Sequence, residues 1–345
     1  MRSPRPKPLH LLGGRPMAYY VLDATALDGV RATVVVVGFE AAWTEKVLRE
    51  WPLDANLRFV EQREQLGTGH AVSVALPAVA EALGDLDGDV IIVPGDTPLL
   101  RRETMATLVA QHRESGAGLS VLTAQLTDPS GYGRVVRAKD GSVARIVEER
   151  DATASERAIT EINTAIMVVR ANLLGPGLRR VGRQNAQQEY YLTDLVAVLH
   201  DAGHATKAVA LEDPAEAAGV NDRAQLAAAE AVVRARVADG WLRRGVTIWD
   251  PSATYIDPDV ELGDGVSLLP GTVLRGHCVV SGGATIGPNA HLIDCRVGPD
   301  ARLGAVEADR AIVGERAVVG SFSVLDSGSV VAPGEVLAPG SHRSA

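Results

Sequence analysis

An α/β domain of the doubly wound type followed by a parallel β-helix is the fold class this sequence predicts, and two observations carry it. Over residues 16–222, segments of helical periodicity alternate with short β-branched runs that are apolar throughout rather than at every second position. Strands of that kind are buried on both faces, as in a parallel sheet covered by helices. After Ile248 the apolar period changes to six, the signature of a chain wound into stacked coils.

The elements follow in order. Residues 16–27 read as a helix opened by a proline, 33–37 as a buried strand, 42–51 as a helix and 90–93 as another strand. Further strands are expected at 119–124, 133–136, 143–147 and 162–169. Turn chemistry separates them at Asp128-Pro129-Ser130-Gly131 and Asp140-Gly141. The Ala-, Leu- and Arg-rich stretch 222–238 is a helix leaving that domain. The domains are accordingly 1–222, a connecting helix 223–244, and a β-helix over 245–345 whose tail from Ala338 reads as disordered.

In the repeat, aliphatic residues fall at Ile256, Leu262, Leu268, Leu274, Val280, Ile286 and Leu292. They slip by one to Val297 and Leu303, then resume at Val313, Val319, Leu325 and Val331. Small or short residues stand four places after most of them. One large inward side chain, one small one and a turn every six residues suit a coil with three flat faces. Three steps make one circuit, so Cys278 and Cys295, each two places before an inward valine, belong at the same position of adjacent coils, as two buried thiols. Glu335 would point inward after Val331, so regular coiling is expected to end near Val331.

Composition narrows the function. The 345 residues suffice for about two domains. A net charge of −9 without long charged blocks repels nucleic-acid backbones and anionic membranes. Two cysteines are too few for a disulfide framework and suit a reducing, cytoplasmic setting. Neither a signal peptide nor a membrane-length apolar run is expected.

Eight strings then stand in a recognisable order. They are Ser3-x-x-Pro6-Lys7-x-Leu9-His10, Glu64-Gln65-Leu66-Gly67-Thr68-Gly69-His70-Ala71, Gly95-Asp96-x-Pro98-Leu99 and Asp128-Pro129-x-Gly131-Tyr132-Gly133-Arg134. Ile146-Val147-Glu148, Glu161-Ile162-Asn163-Thr164, the run from Asn185-Ala186-Gln187 to Thr193-Asp194, and Gly219-Val220-Asn221 complete them. With the hexapeptide coils behind them, the chain resembles the bacterial bifunctional N-acetylglucosamine-1-phosphate uridylyltransferase/glucosamine-1-phosphate acetyltransferase (GlmU) family. The resemblance implies a Rossmann-like nucleotidyltransferase domain and a left-handed β-helix assembling as a homotrimer. The activity it implies joins UTP and N-acetylglucosamine 1-phosphate into UDP-N-acetylglucosamine and pyrophosphate, for cell-wall precursor synthesis. It further implies a catalytic Lys7 on the phosphates, Asp96 and Asn221 as Mg²⁺ ligands, and Gln62, Gly67 and Thr68 at the uracil. Gly95, Gly133, Glu148 and Asn163 would complete substrate binding, the last three at the sugar.

The departures from the family are as informative. Its first strand and the Leu-x-x-Gly-x-Gly-Thr-Arg loop after it have no counterpart here, and in a doubly wound sheet that leaves unpaired edges beneath the helices. Pro94, Ala165 and Asp222 replace the family's usual residues. Asp326 stands where a sugar-phosphate-binding arginine is expected, and the coils bearing the acetyl-transfer site lie beyond this chain, so acetyl transfer is not expected. Flat, aliphatic-cored faces with Leu269, Val279 and Ile293 exposed on them are expected to favour self-association. Two other readings stay open: a noncatalytic sugar-nucleotide-binding or assembly module, and a nucleotidyltransferase for another sugar 1-phosphate.

Overall fold

The computed structural model describes residues 1, 3–53, 56–84 and 87–345. The chain forms two compact units, one of residues 1–10 and 16–225, the other of residues 11–15 and 226–345.

In the first unit the long strand Glu161–Arg170 organises a six-stranded sheet. Leu119–Gln125 pairs antiparallel along one side of it, and Thr206–Ala210 adds parallel to Leu119–Gln125. The other side of Glu161–Arg170 takes Asp89–Ile92 at its carboxyl half and Arg134–Arg137, hairpinned to Val143–Val147, at its amino end. A second, two-stranded parallel sheet joins Thr33–Val37 to Leu57–Glu61. No ladder connects the two sheets among the described residues. The strand at Leu57–Glu61 and the long helix Thr68–Leu83 were not anticipated from the sequence. A β strand with arginine at its second position and a helix opened by Gly-Thr-Gly both look like loops when read locally.

Where the sequence implied strands buried on both faces, Val34, Val35 and Val36 and the whole of Asp89–Ile92 are only half-buried. The cause is the break between the two sheets. Leu119–Gln125 and Glu161–Arg170, flanked on both edges, are buried almost throughout.

Glu161–Arg170 is interrupted by a bulge opposite Val121 and Thr123, and Ala165 there has φ 62°. The bulge is fastened by its own side chains. Ala165 N–H donates to Asn163 Oδ1 at 3.0 Å, and the Thr164 hydroxyl donates to the Leu122 carbonyl at 2.7 Å. A left-handed φ explains why glycine is usual at this place in the resembling family. Ala165→Gly is therefore expected to raise unfolding stability by about 1 kcal/mol, read as a higher urea midpoint.

The second unit is a left-handed parallel β-helix whose strands are mostly two residues long. One face stacks Ile248, Leu268, Ile286, Leu303, Val319 and Leu337 in register. The second stacks Ile256, Leu274, Leu292, Ala308 and Leu325, and the third Leu262, Val280, Val297, Val313 and Val331. The expected inward residues are all buried. Ala308, which breaks the aliphatic period, takes its inward place at a shortened coil, a substitution that spacing alone had left as a gap. Cys278 and Cys295 lie on adjacent coils as expected, free and buried, with Cys295 N–H donating to Cys278 Sγ at 3.3 Å.

Two expectations fail at the edges of this unit. Coiling does not end near Val331, and the segment from Ala338 is not an irregular tail, because strands continue at Val336–Leu337 and His342–Arg343. Glu335 is tolerated since it sits half-buried at the end of the stack. It accepts a backbone bond from Ala332 at 2.8 Å and pairs with Arg343. Residues 11–15, which the sequence reading had left inside the first domain, also belong here: Gly13 N–H donates to Glu230 Oε2 at 2.8 Å and Arg15 pairs with Asp259. The helix behind them runs Arg223–Arg243.

Candidate functional site

The first unit holds a cavity of about 1270 Å³, apolar where it runs between the two sheets and polar at the carboxyl ends of their strands. Open α/β sheets bind ligands at such strand ends. The polar end is assembled from loops that follow strands or open helices.

Lys7 begins a single helical turn, Lys7–Leu9, framed by Pro6 and Pro8, which hold the backbone near its required φ. Asp96 lies in the loop after Asp89–Ile92, and Asn221 in the loop before Arg223–Arg243. Val220 N–H donates to the Asp96 carbonyl at 2.9 Å, tying the two loops together. The Lys7 ammonium then bridges both side chains, 2.5 Å from Asp96 Oδ2 and 2.7 Å from Asn221 Oδ1. Positive charge is concentrated nearby. Burial first, then Arg223, Arg5 and the α-amino group, push the His10 pKa below its ordinary value.

On one side of this centre Gln62 follows the strand Leu57–Glu61 and donates to the Gly67 carbonyl at 3.2 Å, with its amide 3.0 Å from His70 Nδ1. Gly67 does not line the cavity. It has φ 108°, and a side chain there would come within 2.6 Å of the Tyr190 carbonyl. Its glycine is required because the loop is pressed onto residues 189–190 by the bonds Gly69 N–H to Tyr190 O and Tyr190 N–H to Leu66 O, 2.7 and 2.8 Å. Thr68 Oγ1 accepts from Leu192 N–H at 3.1 Å. The stretch Asn185 to Asp194 thus shapes the site, as the sequence suggested without a contact to name.

On the other side Gly133, Glu148 and Asn163 come together. A Cβ on Gly133 would meet Glu148 Oε2 at 3.4 Å and Asn163 Cβ at 3.6 Å, and Asn163 N–H donates to the Gly133 carbonyl at 2.8 Å. Gly95 also lines the cavity, but a Cβ there would meet nothing within 4 Å, so space does not demand glycine at that position. Thr193, which sequence reasoning left without a role, donates its hydroxyl to Glu148 Oε1 at 2.9 Å. Only the fold brings positions 148 and 193 together.

Burial pushes the Glu148 carboxyl above its ordinary value, with Asp194 and Asp151 adding repulsion against the Thr193 bond. Held more tightly in the folded state, that proton stabilises the fold below the ordinary value of 4.5, and the benefit is lost as pH rises through the raised value. Glu148→Gln is expected to be more stable than the parent protein at pH 7.5, the difference shrinking toward pH 4.5 in a series of urea unfolding curves.

Among the described residues no group of three or more His, Cys, Asp and Glu side chains could hold a metal alone. Asp96 and Asn221 nonetheless converge their oxygens on one cation, the Lys7 ammonium. A carboxylate and an amide oxygen that both line the cavity suit a hard cation that draws its remaining donors from ligand and water. Among the described residues no helix is long and apolar enough to cross a membrane.

Comparison with known proteins finds relatives over most of the chain. Residues 1–168 match the MobA-like NTP transferase domain family. The bifunctional protein GlmU of Trichlorobacter lovleyi is 44% identical over 305 residues, 88% of this chain and 65% of that protein. That of Exiguobacterium sibiricum is 40% identical over 320 residues, covering 88% of this chain and 69% of its own length. Geobacter sulfurreducens has one 43% identical over 286 residues, 83% of this chain and 59% of that protein. The chain thus spans about two thirds of the length of these relatives. At 40–44% identity to these proteins over most of its length, the chain belongs to the bifunctional GlmU family.

Proposed function

We propose that the first unit transfers a uridylyl group from UTP to N-acetylglucosamine 1-phosphate, releasing pyrophosphate and forming UDP-N-acetylglucosamine. The observation that carries this reading is the Lys7–Asp96–Asn221 cluster, set in one cavity that Gln62, Thr68, Gly133, Glu148 and Asn163 also line.

In this reaction an oxygen of the sugar phosphate bonds to the α-phosphorus while the bond from that phosphorus to the pyrophosphate oxygen breaks, and no proton need move. The enzyme's work is therefore positioning and charge neutralisation. Lys7 supplies a compact positive charge to the phosphate oxygens. Gln62 and Thr68 orient the base. The Gly133 backbone allows close approach of the N-acetyl group, and Glu148, steadied by Thr193, bonds the sugar hydroxyls together with Asn163. Mg²⁺, when bound by Asp96 and Asn221, adds neutralising charge at the phosphates.

The test is pyrophosphate release in the presence of N-acetylglucosamine 1-phosphate and Mg²⁺, with UTP compared against dTTP, ATP and GTP. Preference for UTP supports the reading. Preference for another nucleotide favours a different sugar-nucleotide product, and binding without release favours a noncatalytic role.

Assembly as a homotrimer in the cytoplasm belongs to the same proposal. Leu269, Val279 and Ile293 are half-buried rather than open. The more exposed apolar residues are Ile312, Val318, Val324, Val330 and Val336, at outward positions of the last coils on all three faces. Apolar side chains on these outer faces are suited to contacts with further copies of the chain. Light scattering at micromolar concentration is expected to give a trimer mass, reduced by Val318→Lys with Val330→Lys; a monomer for the unsubstituted chain would count against assembly.

A further inference from the structure

We propose that Arg134 and Glu149 are positioning residues: their ion pair holds Gly133 and Glu148 at the separation a sugar needs, acting through those two residues rather than on a substrate directly. The sugar's identity rests on the transfer reading above; the pair itself rests on where the strand ladder stops.

Three strands meet at one point. Arg134 opens the strand Arg134–Arg137 and is paired both with Val147, the last residue of Val143–Val147, and with Ile162 of Glu161–Arg170. One residue further along each segment come Gly133, Glu148 and Asn163, which therefore stand together where the ladder ends. Asn163 N–H still donates to the Gly133 carbonyl at 2.8 Å. The ladder between Arg134–Arg137 and Val143–Val147, however, has its last rung at Arg134 and Val147. Beyond that rung, strand pairing no longer sets how far residue 133 stands from residue 148.

Side-chain bonds take over there. The Arg134 side chain is 2% exposed, and its Nη2 lies 2.7 Å from Glu149 Oε2. Its Nη1 donates to the Tyr132 carbonyl, and Gly131 N–H donates to the same Glu149 oxygen at 3.3 Å. Tyr132 and Glu149 are the next residues out from Gly133 and Glu148, so one guanidinium grips both segments just past the residues proposed to meet the sugar. The bond from Arg134 is foremost in holding the Glu149 carboxyl below its ordinary value, which keeps the pair ionised at neutral pH. Stability alone does not account for a buried arginine at this place. Its Nε is buried with no partner among the described residues, and a buried ion pair is often no more stabilising than packed apolar side chains. A planar fork making two bonds at once does fix both distance and direction. A misplacement of about 1 Å can cost ~10²-fold in function, so such fixing has value where Gly133 and Glu148 face each other.

Calorimetry on the whole 345-residue chain with Mg²⁺ gives the affinities for UDP-N-acetylglucosamine and for UDP, and their ratio reads the sugar end alone. Glu149→Ala is expected to lower that ratio at least ~tenfold while the affinity for UDP stays within ~twofold. Glu149→Gln, which keeps an oxygen for Arg134 and Gly131, should lower it less than ~threefold. Glu149→Ala also strands a buried charge and loses stability in urea. Arg134→Met combined with Glu149→Ala removes both charges and is expected to regain that stability while the ratio stays low. A double variant that recovers the ratio along with its stability would make the pair structural only and overturn the proposal. An equal loss of affinity for both ligands, or an unsubstituted chain that binds them equally, would overturn it as well. No turnover enters these measurements, so a chain that shows the expected ratios without releasing pyrophosphate fails the transfer reading and leaves the positioning role standing.

Discussion

Asp96→Asn is expected to lower UTP-dependent pyrophosphate release at least ~10²-fold relative to the unsubstituted chain under the same conditions. The substitution keeps the shape of the side chain and removes one negative charge from a point where the Lys7 ammonium lies 2.5 Å away. Without that charge Lys7 faces only neutral amide oxygens, and the pair of oxygens that would receive a hard cation loses its one negative member. Asn221→Ala should act in the same direction more mildly, since it removes a neutral donor. The measurement is turnover across a Mg²⁺ titration. A variant that keeps full turnover throughout, or that recovers it at moderate Mg²⁺, would remove Asp96 from the phosphate centre.

Leu268→Ala is expected to cost ~2–5 kcal/mol of unfolding stability, toward the upper part of that range. Leu268 is fully buried between Ile248 and Ile286 in the stack of one β-helix face. The coils above and below are fixed by backbone bonds such as Ser267 N–H to Ala284 O at 2.9 Å, so they cannot close over the space left behind. Ser267→Ala, on the same strand but facing outward, should change stability by no more than ~0.5 kcal/mol. Urea unfolding followed by circular dichroism separates the two. A small effect of Leu268→Ala, comparable with that of Ser267→Ala, would mean that inward stacking contributes little to this unit.

Both predictions begin from residues that could be found before any coordinates, yet they depend on the fold to different degrees. In the β-helix, information is local and repeated: each inward residue meets its equivalent one coil away, so period alone placed Leu268 and stacked Cys278 on Cys295. The reading erred where the period was interrupted or ran out. Ala308 is small enough to escape an aliphatic count, and Glu335 is rescued by Arg343, eight residues further on, a partner that spacing does not reveal.

In the first unit the sequence by itself determined the alternating strands and helices, the family, and the side chains gathered at the strand ends. Gly67, Gly133, Lys7, Asp96 and Asn221 could be named beforehand only because eight strings stand in the order of a known family; each string alone is weak. Tertiary structure alone decided that Lys7 bridges Asp96 and Asn221, that Thr193 steadies Glu148, and that residues 11–15 pack with the second unit. It also decided that, among the described residues, no ladder joins the two sheets of that unit. Those outcomes are long-range pairings of backbone and side-chain groups, and a strand's own residues specify that it will pair without specifying whether a neighbour is there to pair with it.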